Sequence, residues 1–399
     1  MLEFTNRAKN VSPSLTLAIT AKANQMKADG YDLISFAAGE PDFNTPQFII
    51  EAAKQALDKG YTKYTAASGI TAFKEAVCQK LKNDNGLDYS PEQIVISTGA
   101  KQCLFNALQA VAQEGDEVIV IAPYWLTYPE LIKICGATPV IVNTDANNGF
   151  MLSVPAIKKA ITNKTKAIII NTPNNPSGTV YPEDTMRELA QMLKEYPDIW
   201  VISDEIYEAL SYDGNKHFSI ACADEQIKER TILINGMSKA YAMTGWRIGY
   251  SASSVAAAKR MGAMQSHQTS NANTMAQHAS IVALTKGQQF ISEMKNVFET
   301  RRNALLECFK DFNEVECVKG GGAFYVMVNI KNLFNKSYKG QKIDSALKFS
   351  QLLLENKYVA VIPCESFGAP DYIRLTYTLD IPVIKEGAKR FKEFVKEIG

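Results

Sequence analysis

The sequence predicts an α/β protein in which a large domain, with a mostly parallel β-sheet between helices, is joined to a smaller α+β domain. Its 399 residues are too many for one ordinary domain. From residue 94 onward, short apolar segments alternate with helical patterns, which indicates crossover connections between parallel strands. After about residue 313 this alternation stops. We therefore predict a large domain at 47–313 and a small domain made of 1–46 and 314–399.

The individual elements follow from apolar periodicity along the chain. Before the large sheet we predict helices near 16–28, 46–59 and 70–83, and a short strand from residue 33 that runs into a Gly/Pro turn. Strands of the large sheet are predicted at 94–98, 117–122, 138–143, 167–171, 200–203 and 231–234, with helices at 100–112, before 135, at 154–161 and at 182–195. A helical region at 274–312 is expected to bridge the domains. The small domain is predicted to have strands at 315–318, 323–328, 359–363 and 372–378, and helices at 344–356 and 383–398.

Composition excludes several function classes. The net charge of +1 provides no field that would attract nucleic acid or a membrane surface. No apolar run approaches the length of a membrane span, and the first seven residues lack the pattern of a signal peptide. The seven cysteines are scattered without a C-x-x-C pair, and only three histidines occur. We therefore expect a cytoplasmic enzyme with reduced thiols and no metal site.

Residues 231–252 carry the chemistry that best narrows the function. Apolar residues 231–234 predict a buried strand, Lys239 follows it closely, and Arg247 begins a second apolar run. A buried lysine loses its proton more readily and can attack a carbonyl, whereas an arginine can bind a phosphate with two parallel hydrogen bonds. Together they suggest a Schiff base between Lys239 and a phosphorylated aldehyde. A solvated surface lysine is the commoner alternative, so the surrounding residues must decide.

Further candidates fall at the same predicted edge of the sheet. In open α/β sheets, ligands bind beyond the carboxyl ends of the strands. Backbone N–H groups at Gly99 and Ala100, where a strand gives way to a helix, could bind a phosphate. Trp125 could stack on a flat ring, and Asp204 could pair with a protonated pyridine nitrogen. The residues predicted to share this edge are Gly99, Trp125, Asn175, Asp204 and Lys239.

Each candidate also has an alternative that is purely structural. Gly99 can simply begin a helix, and Trp125 can fill the core. Asp204 can cap a helix or form a salt bridge. Arg374 lies inside the apolar run 373–377, where it needs an anion. That anion can be the α-carboxylate of a substrate, or the carboxylate of a structural ion pair.

The run from 236 to 249, G-M-S-K-A-Y-A-M-T-G-W-R-I-G, resembles the cofactor-lysine signature of class I pyridoxal-phosphate aminotransferases. Further motifs of that family occur in its order and spacing, so the resemblance spans nearly the whole chain. These motifs are Ala38–Asp42, Asn174–Gly178, Ser203–Tyr207 and Arg374. The segments 123–125 and 242–247 resemble in particular the bacterial aspartate aminotransferases of the I-beta subgroup.

The resemblance implies fold type I of the pyridoxal-phosphate-dependent transferases, and pyridoxal 5′-phosphate as the cofactor. It implies that Lys239 binds the cofactor covalently and moves the substrate proton, and that Asp204 keeps the ring nitrogen protonated. It also implies an active homodimer with shared sites, in which Tyr64 reaches the neighbour's cofactor phosphate. The implied cofactor contacts are Tyr64, Gly99, Ala100, Lys101, Trp125, Asn175, Asp204, Tyr207, Ser238, Lys239 and Arg247.

The implied reaction is a ping-pong transfer of the amino group of L-aspartate to 2-oxoglutarate. The implied substrate contacts are Gly39, Lys101, Trp125, Asn175 and Arg374. An aromatic, alanine or prephenate aminotransferase and a β-lyase of the same fold are alternatives. A non-catalytic ligand sensor would need an added DNA-binding domain, for which the chain has no spare basic helix.

Two positions depart from the family pattern. Gly236 stands where many relatives have a phosphate-binding serine, which leaves either fewer phosphate contacts or a substitute in Ser238. The stretch 266–274 contains no arginine for a distal carboxylate. Lys101 matches the place of the lysine that has this role in the I-beta subgroup, and Ser14 and Thr16 could assist it. We therefore expect Lys101 to select dicarboxylic substrates.

Overall fold

The computed structural model describes residues 2–399, apart from the side chains of Asn6 and Arg7. The N-terminal part contains α1 (Asn6–Lys9), α2 (Leu15–Ala28) and β1 (Ile34–Ser35). The middle of the chain contains α3 (Gln47–Asp58), α4 (Thr71–Asn85), β2 (Ile94–Ser97), α5 (Ala100–Val111), β3 (Glu117–Ala122), α6 (Thr127–Ile134), β4 (Thr138–Asn143), α7 (Val154–Ala160), β5 (Thr165–Asn171), α8 (Glu183–Leu193), β6 (Trp200–Asp204), α9 (Glu225–Glu229), β7 (Thr231–Gly236), α10 (Met237–Ala240), β8 (Gly249–Ala252), α11 (Val255–Ser266), α12 (Thr274–Lys286) and α13 (Gln288–Phe309). The C-terminal part contains β9 (Glu316–Val318), β10 (Tyr325–Asn329), β11 (Ser337–Tyr338), β12 (Gln341–Lys342), α14 (Ala346–Lys357), β13 (Val359–Ala360), β14 (Ile362–Pro363), β15 (Tyr372–Thr376) and α15 (Ile381–Lys396).

The large sheet has seven strands in the order β2-β8-β7-β6-β5-β3-β4. Its neighbouring strands run parallel from β4 through β3, β5 and β6 to β7. Only β8 is reversed, because it pairs antiparallel with both β7 and β2. The predicted mostly parallel sheet is therefore confirmed, and the carboxyl ends of β5, β6 and β7 lie side by side.

Helices cover both faces of this sheet, which explains why its strands are almost continuously apolar. Val118 and Val120 of β3 pack on the face that carries α5, α6 and α11. Ile119 and Ile121 of the same strand pack on the other face, against α7 and α8. The alternation of side chains along a strand thus divides one apolar segment between two cores.

The C-terminal part forms a second sheet with a core of its own. Four strands pair antiparallel in the order β14-β15-β10-β9. Buried side chains of α13, among them Phe298 and Leu305, belong to this core. The region at 274–312 is two helices, α12 and α13, and its expected role as a bridge between the domains stays a prediction. β1 pairs parallel with β13, which joins the N-terminal segment to the C-terminal part. The domain limits, 47–313 for the large domain and 1–46 with 314–399 for the small one, stay a prediction.

Several predicted elements differ in extent from the observed ones. The predicted strand at 359–363 is two short strands, β13 and β14, which pair with different partners. The strand predicted from residue 33 is only two residues long. The hairpin of β11 and β12 and the short helices α9 and α10 were not predicted, because segments this short carry no periodic signal.

A fully buried arginine of α13 forms hydrogen bonds with the loop that follows β6. Arg302 donates from Nη1 and Nη2 to the two carboxylate oxygens of Asp213, at 2.9 and 2.8 Å. Its Nη1 also donates to the backbone carbonyl of Gly320, at 3.0 Å. The adjacent β-bridge between Ser211 and Gly322 brings the same loop to the start of the small sheet.

We predict that Arg302→Ala lowers the free energy of unfolding by about 3 kcal/mol, because it empties a fully buried site and leaves the buried carbonyl of Gly320 without this donor. Asp213 keeps Lys319 as its other cationic partner. Urea unfolding followed by circular dichroism measures this change. Arg187→Ala is the matched control, because Arg187 pairs with Glu183 on the surface at 2.8 Å and such pairs contribute about 0.5 kcal/mol. Equal losses in the two variants would contradict the prediction.

Candidate active site

A cavity of about 450 Å³ lies where the carboxyl ends of β5, β6 and β7 meet the small sheet and the N-terminal segment. The predicted site residues that line it are Gly39, Ala100, Lys101, Trp125, Asn175, Asp204, Tyr207, Ser238, Lys239, Arg247 and Arg374. Gly99 and Tyr64 are the predicted site residues that do not line it. The sequence also missed residues that do, including Tyr128, Asn171, Tyr325 and Glu40.

Lys239 follows β7 on the short helix α10 and points into the cavity. Its Nζ donates a hydrogen bond to the backbone carbonyl of Gly39, at 2.6 Å. Burial lowers the pKa of Lys239 to about 8, and the nearby Arg374 and Arg247 act in the same direction. Near neutral pH the amine therefore loses its proton far more readily than a solvated lysine, as a nucleophile or base requires.

Asp204 ends β6 and is only 3% exposed. Tyr128 donates its hydroxyl to Oδ2 of Asp204, at 2.6 Å, and the backbone N–H of Ile206 donates to Oδ1, at 3.3 Å. Burial raises the pKa of Asp204 to about 6, against the effect of both hydrogen bonds. In the described part of the chain Asp204 forms no salt bridge, so the alternative of a structural ion pair is not met there. A cation from outside the chain fits this position.

Arg374 of β15 is likewise 3% exposed and has only neutral partners. Its Nη1 donates to Oδ1 of Asn175, at 3.0 Å, and its Nη2 donates to the carbonyl of Ala37, at 3.2 Å. The guanidinium lies 4.3 Å from the centre of the Tyr325 ring and 5.4 Å from that of Phe367. Its Nε is buried without a partner. A buried, unpaired guanidinium is suited to an incoming carboxylate.

The start of α5 and the segment around Arg247 form a cradle made mostly of main chain. Gly99 precedes α5 with φ 83° and ψ 160°, a conformation that is essentially restricted to glycine. A Cβ on Gly99 would lie 2.4 Å from Nη2 of Arg247, and one on Gly249 would lie 2.3 Å from the backbone nitrogen of Ala100. The first N–H groups of α5 lack partners within the helix, so this cradle is suited to an anion.

The glycine at position 236 has a steric cause. A Cβ there would lie 2.8 Å from the carbonyl oxygen of Ile248 and 2.9 Å from Cα of Gly249. No serine side chain fits so close to β8. Ser238 lies two residues later and lines the cavity. Its expected role as the substitute stays a prediction.

Aromatic side chains surround the remaining space. The hydroxyl of Tyr207 lies 2.9 Å from that of Tyr325. The ring of Trp125 meets Tyr128 edge-on, with 5.6 Å between the ring centres, and Nζ of Lys101 lies 4.8 Å from the centre of the Trp125 ring. Burial lowers the pKa of Lys101, and Arg247 adds to this effect.

The N-terminal segment reaches the mouth of the cavity, whereas Tyr64 does not. Thr16, Leu17 and Thr20 of α2 line the cavity, and the hydroxyl of Ser14 lies 3.0 Å from that of Thr16. Tyr64 is 89% exposed. Its expected contact with a neighbouring subunit stays a prediction.

The model of the family described as aminotransferase class I and II matches residues 31–391. The chain belongs to this family. The predicted aminotransferase and its fold type are thereby confirmed. In this aminotransferase the cavity also fits a phosphorylated, cationic ring, since it combines an anion cradle with a buried carboxylate that has no cation.

The aminotransferase is similar along its whole length to proteins named as aspartate aminotransferases. It is 42% identical to the aspartate aminotransferase of Bacillus subtilis, over 99% of this chain and 100% of the relative. It is also 42% identical to a probable aspartate/prephenate aminotransferase of Aquifex aeolicus, over 98% of each chain. Among solved structures, the aspartate aminotransferase of Rhizobium meliloti superposes with a TM-score of 0.96 at 36% identity, over 100% of both chains. The Thermus thermophilus aspartate aminotransferase with maleate gives 0.93 at 37% identity, over 99% of this chain and 100% of that one.

One group of residues with metal-ligand chemistry lies behind Asp204 in the described part of the chain. Glu205, Glu208 and His217 bring their ligand atoms within 4.8 Å of one another. The ammonium of Lys80, however, already pairs with Glu208. His217 bonds Glu205 through Nε2, at 2.8 Å. The expectation of no metal stays a prediction.

Among the described residues, no helix is long and apolar enough to cross a membrane.

We predict that Asp204→Asn stabilises the cofactor-free protein at pH 8 but not at pH 4. The folded-state pKa of about 6 lies above the unfolded value, so stability is lost as pH rises from about 4 to about 6, because the unfolded chain releases its proton first. Above pH 6 the ionised, unpaired carboxylate costs about 2–3 kcal/mol, which the amide avoids.

Urea unfolding of the cofactor-free protein at the two pH values measures this difference. Asp58→Asn is the control, since Asp58 ends α3 on the surface. The prediction is wrong if Asp204→Asn destabilises the protein at pH 8, or if it changes the free energy of unfolding equally at pH 4 and pH 8.

Proposed function

We propose that this protein is a pyridoxal 5′-phosphate-dependent aspartate aminotransferase, which transfers the amino group of L-aspartate to 2-oxoglutarate. The observation that carries the proposal is one cavity that holds the buried Asp204 and Arg374 and the half-buried Lys239, none of which forms a salt bridge in the described chain. These groups match an aldehyde, a ring nitrogen and an α-carboxylate. The relatives named as aspartate aminotransferases support the choice of substrate.

The cofactor, when bound, supplies an aldehyde for the amino group and a ring that withdraws electrons from the substrate Cα. The cradle of Gly99, Ala100, Ser238 and Arg247 would hold its phosphate, as a helix N-terminus with an arginine does. Asp204 would accept the hydrogen bond of the protonated ring nitrogen. The hydroxyl of Tyr207 and the amide of Asn175 would bind the phenolic oxygen, and Trp125 would cover one ring face.

Lys239 would both hold the cofactor and move the substrate proton. Its amine is a base near neutral pH because burial lowers its pKa to about 8. The hydrogen bond to the Gly39 carbonyl holds Nζ at the cavity wall. From there the amine would take the proton from the substrate Cα and deliver it to the aldehyde carbon of the cofactor.

Arg374 would bind the α-carboxylate through its planar fork. Asn175 and the Ala37 carbonyl fix the guanidinium from one side, and the rings of Tyr325 and Phe367 flank it. Gly39, whose backbone lies at the same wall, leaves room for the carboxylate. A second carboxylate would then meet Lys101 above Trp125. The Thermus thermophilus relative was solved with maleate, which is a dicarboxylate, and this supports a dicarboxylic substrate for the present chain.

We further propose that the enzyme works in the cytoplasm as a homodimer with shared active sites. The exposed Tyr64 would contact the cofactor phosphate in the neighbouring site. The two-domain division at 47–313 and at 1–46 with 314–399 belongs to the same proposal. The resemblance of the whole chain to the family supports these assignments.

Spectroscopy with single substrates tests the function. The cofactor-loaded protein is mixed with one amino acid at a time, and absorbance follows conversion of the pyridoxal form to the pyridoxamine form. Aspartate and glutamate should convert it fastest, and Lys239→Ala should not turn over. The absence of conversion with every amino acid would contradict an aminotransferase, and pyruvate release without a 2-oxo acid would identify a β-lyase.

The names of several relatives favour prephenate as an additional amino acceptor. The pyridoxamine form of the enzyme is therefore also mixed with prephenate, and return of the pyridoxal absorbance is followed. Conversion at a rate comparable with that of 2-oxoglutarate would extend the proposed function to this substrate.

We predict that Lys101→Ala lowers kcat/KM for aspartate by about 100-fold and for alanine by less than threefold, because only aspartate has a second carboxylate for the charge-assisted contact. The two values come from the same spectral assay. Lys158→Ala is the control, since Lys158 forms a surface pair with Glu195 away from the cavity. Equal losses for the two substrates would remove Lys101 from substrate selection.

A further inference from the structure

We propose that Tyr128 is a positioning residue, which orients the Asp204 carboxylate toward the cavity and keeps it in its ionised form. The inference rests on the proposed function, in which the cofactor's ring nitrogen is the cation that Asp204 receives. The sequence motifs did not include Tyr128, and its contact with Asp204 joins residues 76 positions apart.

The geometry of this contact leaves little freedom to the carboxylate. Tyr128 is 2% exposed and Asp204 is 3% exposed. The hydroxyl of Tyr128 binds Oδ2 at 2.6 Å, while the Ile206 N–H binds Oδ1 at 3.3 Å. Each oxygen thus has one donor from the protein, and both residues also line the cavity. The lone pairs that remain are available to a ligand there.

The same side chain contacts the residue expected to cover the ring. Tyr128 lies in the first turn of α6, three residues after Trp125, and the two rings meet edge-on at 88°. Loss of the hydroxyl alone would leave this packing in place. A phenylalanine at position 128 therefore separates the hydrogen bond from the packing.

The electrostatic surroundings make the donor important. Glu205, next to Asp204, raises the pKa of Asp204, whereas Lys239 lowers it by less than the hydrogen bonds do. Tyr207 and the thiol of Cys103 on α5 also face the carboxylate. Burial and the Asp204 charge raise the pKa of Tyr128 well above its ordinary value, so its hydroxyl stays protonated and can only donate to the carboxylate. A donor to the charged form favours that form.

The test measures the titration of Asp204 itself in the full-length, cofactor-free chain. Aspartate is labelled with ¹³C at the carboxyl carbon, and the Asp204 signal is assigned by its loss in Asp204→Asn. We expect Tyr128→Phe to raise the pKa of Asp204 by about one unit, which is a tenfold change in acid dissociation. Tyr212→Phe is the matched control, because Tyr212 is a fully buried tyrosine that donates to the carbonyl of Ala323. It should leave the Asp204 signal unchanged.

A second readout uses the loaded enzyme. With ¹⁵N in the cofactor ring, Tyr128→Phe should move the shared proton from the ring nitrogen toward the more basic Asp204 carboxylate, which the ¹⁵N chemical shift reports at a fixed pH. It should reduce kcat more than it raises KM for aspartate, since Arg374 still binds the α-carboxylate. If the wild-type chain binds no cofactor, the proposed function fails while the carboxyl titration still tests Tyr128.

A shape-preserving replacement covers the case in which Tyr128→Phe does not fold. Site-specific 3-fluorotyrosine at position 128 keeps the hydroxyl and makes it a stronger donor, so the pKa of Asp204 should fall. An Asp204 pKa that is the same in wild type, in Tyr128→Phe and with 3-fluorotyrosine would overturn the inference. A pKa that moves in opposite directions in the two variants would support it.

Discussion

The structure depends on a constraint at one edge of its large sheet, where ionisable groups are buried without an opposite charge from the chain. Asp204 and Arg374 are each 3% exposed, and the amine of the half-buried Lys239 donates to a backbone carbonyl. Burial of this kind opposes folding, because an unpaired charge loses its hydration. The surrounding fold must therefore supply enough apolar contact to hold these groups in place. A ligand with complementary charges would recover the cost.

The architecture meets this constraint by bringing distant parts of the chain to one point. Parallel β5, β6 and β7 end there, and α5 and α10 begin there. The antiparallel β15 carries Arg374 to the same place from the small sheet, and the N-terminal segment adds the carbonyl groups of Ala37 and Gly39. Groups that are close in space thus come from both ends of the chain. A small movement of one sheet relative to the other would change the distances between groups on different sheets, and it would leave the distances within each sheet almost unchanged.

Much of this site follows from sequence, for a physical reason. Three charged residues, Lys239, Asp204 and Arg374, follow or lie within apolar runs. A charged residue in such a place needs either a bound ligand or a partner of opposite charge, so it marks a candidate site. Tyr128 and Tyr325 were not predicted, because their contacts with Asp204 and Tyr207 depend on packing between elements far apart in the chain. The reversal of β8 was also not predicted, since an apolar run carries no sign of its direction. Gly236 was correctly noted as unusual, but its cause, the close approach of β8, appears only in three dimensions.

The main-chain cradle at Gly99, Gly236 and Gly249 has an evolutionary consequence. At Gly236 and Gly249 neighbouring backbone atoms leave no space for a Cβ, and at Gly99 the Arg247 guanidinium and the positive φ exclude one. A substitution at any of these three glycines would disturb the local packing of the fold. Other side chains that line the cavity, such as Leu17 and Lys101, are free of this restriction. Descendants of such a protein can therefore change the molecules they accept while they inherit the same cradle, and directed evolution of new substrate preferences should begin with those side chains.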